Sequence, residues 1–217
     1  MNVSRNVMRV FSTMFLFLVS NILFAQIKPL SIPKDSVHFK GRYKGNIKHI
    51  YKWNDKLGQN YLVLSVTNET PSKAKISGYK EDCDGSCTDI ELYAYHFIGT
   101  DSILWKVQDF ERACNWDNVV KFRPNSIKIT DLDSNGIAEV WMMYSLTCTS
   151  DVSPSRLKLI VYQGNKKAVI RGTSQPARNM IDQEFGGKYN PDQQFLSLPK
   201  KFQQYGEKLW KYNLYDM

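Results

Sequence analysis

The sequence predicts a mostly β fold, an antiparallel meander closed as a sandwich, a barrel or a propeller-like sheet, with an amphipathic helix at its C-terminal end. Three observations predict it. Short runs rich in β-branched and aromatic residues recur between residues 46 and 172. Turn residues separate them. Residues 198–212 carry apolar side chains at helical spacing instead.

The first strand candidate is 46–53, followed by a turn over 54–60 (NDKLGQN). Residues 61–67 (YLVLSVT) form an apolar, β-branched run of the kind that fills a buried strand. A polar loop spans 80–89. Residues 90–98 (IELYAYHFI) then turn through Gly99, Thr100 and Asp101 into 102–110 (SILWKVQDF). Further strands are read at 126–130, 137–145, 156–163 and 167–172, the last two joined by the hairpin pair Gly164 and Asn165. In the helix, Phe202, Tyr205, Leu209 and Tyr212 share a face meant for the sheet, and Pro199 suits the first turn. Gly206 inside it costs about 1 kcal/mol against alanine. Lys200, Lys201, Lys208 and Lys211 give that helix a second reading, as a surface for a partner or a membrane.

Residues 1–25 read as a cleavable export signal. Arg5 and Arg9 precede an apolar stretch from Val10 to Phe24, and Ala25 is a small residue suited to cleavage. Residues 26–36 then read as a polar linker and 37–217 as a single domain. The stretch is too short, and too broken by Ser20 and Asn21, for a spanning helix, and no later segment replaces it. Loss of the two arginines lowers the formal charge from +8 to +6. Such an excess attracts anionic surfaces such as acidic glycans, but its lysines are spread along the chain. No basic stripe interleaved with stacking aromatics points to nucleic acid.

Cys83, Cys87, Cys114 and Cys148 are an even set in an exported chain, which predicts two disulfides. Of three possible pairings, Cys83–Cys87 across the turn Asp84-Gly85-Ser86, with Cys114–Cys148, is favoured. The alternatives, zinc binding and thiol redox chemistry, lack the paired Cys-x-x-Cys units they require.

The one chemical motif is the loop 131–139, DLDSNGIAE. Asp131, Asp133, Asn135 and Glu139 offer side-chain oxygens at positions 1, 3, 5 and 9. Ile137 can add its carbonyl, and Gly136 allows the sharp turn. A hard cation such as calcium takes six to eight oxygens, so the expectation is a structural calcium site. Met142 stands where an EF-hand has its final glutamate. The spacing resembles the strand–loop–strand calcium loops of integrin-type (FG-GAP) repeats. Without a metal, the same residues suit a hairpin turn.

Catalytic machinery is not visible. His38, His49 and His96 lack metal spacing, and no nucleophile elbow, phosphate loop or dinucleotide fingerprint occurs. A hydrolase would have to draw carboxylates from separate strands, with Glu91, Asp109, Glu111 and Glu139 as candidates. Among the tryptophans, Trp116 in the polar stretch 113–118 is the candidate for exposed ligand contact.

Several strings occur together: ELYAYHF (91–97), LWKVQDF (104–110), TDLDSNGIAEVWMMY (130–144), CTSDVSPS (148–155) and IRGT (170–173). They resemble a small family of exported Gram-negative proteins labelled surface polysaccharide (lipopolysaccharide) biosynthesis proteins. The resemblance spans residues 45–173. It implies a periplasmic or cell-surface role with a glycan or an exported protein as partner, and carries no reaction or catalytic residue. The resulting expectation is a non-enzymatic accessory or binding protein. The alternatives are a carbohydrate-active hydrolase and an inhibitor module.

Overall fold

The computed structural model describes residues 27–39, 41–72, 86–175 and 185–216. The predicted export signal, Cys83 and hence the Cys83–Cys87 pairing fall outside them.

Two antiparallel sheets face each other. The first contains β1 (Leu30–Ser31), β2 (Asn46–Asp55), β3 (Gly58–Val66), β4 (Thr70–Pro71), β5 (Thr88–Ile98) and β6 (Ser102–Cys114). Its order is β1-β2-β3-β5-β6, with β4 pairing β5 beyond the end of β3. The second contains β7 (Asp117–Phe122), β8 (Lys128–Thr130), β9 (Glu139–Thr149), β10 (Arg156–Gln163), β11 (Lys166–Thr173) and β12 (Tyr189–Pro191). Its order is β7-β9-β10-β11-β12, with β8 pairing β9. Of the closures the sequence allowed, the structure selects an open, sandwich-like one.

Packing explains the sequence pattern. Between the sheets, Leu62, Leu64 and Leu92 meet Val140, Met142, Ile160 and Tyr162 in one apolar cluster. The opposite face of the first sheet buries Val63, Tyr93 and Phe97 against Phe39. The opposite face of the second buries Trp141, Met143 and Leu159 against α1 (Gln193–Leu196) and α2 (Lys200–Tyr212) through Phe195, Phe202, Leu209 and Trp210. Strands covered on both faces lose the apolar–polar alternation, so β3 and β9 read as near-continuous apolar runs.

The boundaries differ from the expectation in several places. The 54–60 turn shrinks to Lys56 and Leu57, because β2 and β3 run on into it as a tight hairpin. The 126–130 strand begins at Lys128, after a 3-10 turn at Pro124–Ser126. The 137–145 strand runs from Glu139 to Thr149. β7 was not foreseen, and within the segment read as a linker Leu30–Ser31 pairs with the edge of β2. Helix α2 starts after Pro199, which occupies its N-cap position. Gly206 is buried there, and a Cβ would sit 2.7 Å from the ring of Phe195 and 3.1 Å from that of Trp141. A close crossing, rather than a tolerated defect, accounts for that glycine.

The chain passes from the first sheet to the second between β6 and β7. A disulfide from Cys114 to Cys148 ties this crossing to β9, with Cα atoms 5.6 Å apart. Among the described residues, no helix is long and apolar enough to cross a membrane.

Candidate metal centre

The loop between β8 and β9 gathers the acidic residues. Glu139 opens β9, paired with Thr130 on one side and Gln163 on the other. That position leaves it 0% exposed. A buried carboxylate needs partners, and Glu139 has them. Thr130 Oγ1 donates to it at 2.7 Å, Leu132 N at 2.8 Å and Gln163 Nε2 at 3.2 Å. Thr130 Oγ1 in turn accepts from Trp141 Nε1 at 3.0 Å, which fixes the hydroxyl's direction.

Asp131 and Asp133 complete the group. One carboxylate oxygen from each of Asp131, Asp133 and Glu139 lies within 4.8 Å of the others. Asp131 Oδ2 accepts from Gly136 N at 3.1 Å, whereas its buried Oδ1 has no hydrogen-bond partner among the described residues. Asp133, at the exposed rim, accepts from Asn135 Nδ2 at 2.8 Å and Gln163 Nε2 at 3.0 Å. The loop closes through left-handed backbone at Ser134 (φ 57°) and Gly136 (φ 81°).

The charges are mutually unfavourable. Burial pushes the Glu139 carboxyl above its ordinary range, and Asp133 and Asp131 push it the same way. The Thr130 and Leu132 hydrogen bonds oppose the rise. Two lysines approach the loop through its carbonyls: Lys56 Nζ donates to Asn135 O, and Lys201 Nζ to Leu132 O at 2.5 Å. Three carboxylates of this geometry can hold a cation, which would remove the repulsion and give Asp131 Oδ1 a partner.

Asn135 and Ile137, the other two predicted ligands, bond to one another within the loop. Asn135 turns its Oδ1 back onto Ile137 N at 2.8 Å, closing its own turn. That bond uses the N–H of Ile137, not the carbonyl predicted as its ligand atom. Trp116 stands exposed (57%) at the sheet crossing, away from the acidic group on the far end of β9. Apart from Glu139, the hydrolase candidates are each drawn into ion pairs with a cation from another strand. Glu91 bonds Arg112 and Tyr93, Glu111 bonds Arg156, and Asp109 bonds Lys158 and Tyr144.

One residue escaped the sequence reading altogether. Asp55 at the tip of the β2–β3 hairpin accepts four hydrogen bonds. Leu57 N and Asn60 Nδ2 donate to Oδ1, both at 2.8 Å, while Trp53 Nε1 and Ala138 N donate to Oδ2, both at 3.0 Å. Lys56 N donates to Gly136 O at 2.8 Å. The hairpin of the first sheet is thus clamped onto the loop of the second. An Asp beside a turn is a visible signal, but its bond to Ala138 is not.

No protein-family model, curated protein or solved structure matches this chain.

Proposed function

We propose that this chain is an exported, non-enzymatic accessory or binding protein, acting in the periplasm or at the cell surface in polysaccharide biosynthesis. A calcium ion held by Asp131, Asp133 and Glu139 stiffens its scaffold. The convergence of these carboxylates around the fully buried Glu139 carries the cation reading. A hard cation accepts such oxygens, and water can supply its remaining positions. Because the ligands come from one loop and its first strand residue, the role is structural. The N-terminal signal pattern and the disulfide are both compatible with export. The glycan link rests on the strings quoted above.

Calorimetric titration of the oxidised protein with calcium, beside an Asp131→Ala, Asp133→Ala variant, tests the cation. Heat of binding is expected from the wild type alone. Calcium at 100 times its Kd should then add about 2.7 kcal/mol of stability. No heat from either protein refutes the calcium reading. Deletion of the gene tests the glycan link, and an unchanged surface polysaccharide refutes it.

A further inference from the structure

The inward face of a sandwich sheet is ordinarily filled by apolar side chains. In the second sheet, Ile160 and Val169 obey this and join the core between the sheets. Of their four neighbours two positions away, on the same face by the period of a strand, three are cations and the fourth is Tyr162. Lys158 and Lys167 flank Ile160 and Val169, and Arg171 follows Val169. Lys158 and Arg171 stand directly opposite one another in the β10–β11 register. Like charges so placed destabilise a sheet.

A polar cleft of about 220 Å³ opens here between β6 and β10–β11, lined by Asp109, Tyr144, Lys158, Lys167 and Arg171 among others. Lys106 also lines it but extends toward the Tyr93 ring, with Nζ 5.6 Å from the ring centre, which leaves Lys158, Lys167 and Arg171 with one carboxylate. Asp109 is shared by Lys158 and by Tyr144 Oη, the latter at 2.8 Å. Among the described residues, Arg171 pairs with Asp192, at 3.8 Å. Lys167 Nζ lies 5.9 Å from the ring centre of Tyr162, which stacks on Trp105 with centroids 4.1 Å apart. Burial, then Arg171 and Lys158, lower the pKa of Lys167, in keeping with an excess of positive charge.

We propose that this cleft binds an oxyanion group, phosphate or carboxylate, carried by a saccharide. The cleft is smaller than the roughly 300–1,000 Å³ of pockets that enclose a whole ligand, so it suits a projecting group. Lys167 and Arg171 supply the donors for the oxyanion. Asp109 would repel a bare anion but can accept a hydroxyl, which favours a sugar as the carrier. The anion site stands on its own residues. Only the choice of a saccharide rests on the glycan-linked role proposed above.

Binding of glucose 6-phosphate, tri-galacturonate, inorganic phosphate and neutral maltose to the full chain would be measured by titration calorimetry in calcium-free buffer. Working without calcium keeps the outcome independent of the acidic loop. The first two probes should bind, and maltose should not. A Lys167→Gln, Arg171→Gln variant should lose at least ten-fold in affinity for them. A Lys208→Gln, Lys211→Gln variant, with the same change of charge on α2, should bind as the wild type does. Lys167→Gln alone carries the comparison should the double variant fail to fold. Absence of binding by every probe, or equal weakening by both double variants, overturns the site. Inorganic phosphate binding as tightly as glucose 6-phosphate keeps an anion site and overturns the saccharide.

Discussion

Replacing Asp55 by alanine should loosen the junction between the two sheets. The side chain accepts four hydrogen bonds, and its loss leaves two buried donors, Trp53 Nε1 and Ala138 N, without their acceptor. Asn60 keeps a partner in Gly58 O at 2.7 Å, and Leu57 is only partly buried. An orphaned buried donor costs about 1–3 kcal/mol. Two give about 2–6 kcal/mol, and entry of water beside the half-buried Asp55 favours the lower half of that range. The expected loss is about 3 kcal/mol, read by urea unfolding followed through tryptophan fluorescence in calcium-free buffer. Asp133→Ala, which removes an exposed carboxylate, should change stability by no more than about 0.5 kcal/mol in that buffer. A loss below about 1 kcal/mol for Asp55→Ala would refute the clamp.

Three further outcomes are expected. Replacing Cys114 and Cys148 together by serine frees a link spanning 34 residues. The chain-entropy model gives a loss of about 3–4 kcal/mol, and unchanged thermal unfolding would contradict it. Gly206→Ala should destabilise the protein, although it improves helix propensity by about 1 kcal/mol. The new methyl meets Phe195 and Trp141 below contact distance, and overpacking costs about 1–3 kcal/mol. A higher unfolding midpoint would overturn this. His96 is buried, and desolvation lowers its pKa from 6.5 to about 4. The unfolded chain takes up this proton first, so stability is full above pH 6.5 and falls as pH drops toward about 4, by roughly 3 kcal/mol. His96→Gln should flatten that part of the profile, as measured by urea unfolding between pH 4 and 7.

Local information made some of this legible in the sequence. β3, β5 and β9 stand out because burial on both faces gives each a largely apolar central run. Asp131, Asp133 and Glu139 stand out because all three lie within nine residues. The end of β6 did not, because Glu111 and Arg112 carry charge. Their partners, Arg156 for Glu111 and Asp89 with Glu91 for Arg112, come from other strands. Asn135 was read as a ligand from its position, and spacing alone does not show that its side chain also closes its own turn. The bond of Asp55 to Ala138 spans 83 residues and leaves no local mark. Lysines and arginines that look dispersed along the chain are brought together at Lys158, Lys167 and Arg171 only by the β10–β11 register.

The division of the strands has a consequence for how the chain assembles as it leaves a ribosome or a translocation pore. Among the described residues, every strand of the first sheet precedes residue 115, and every strand of the second follows residue 116. Each sheet is therefore built from neighbours in sequence, so pairing proceeds by short loop closures from the N-terminal half onward. Cys114 emerges when the first sheet is complete, but Cys148 lies near the end of β9, after two strands of the second. The bond between them cannot guide the first half of folding. It closes only once β9 has arrived, and it locks together two halves already shaped by their own local pairings.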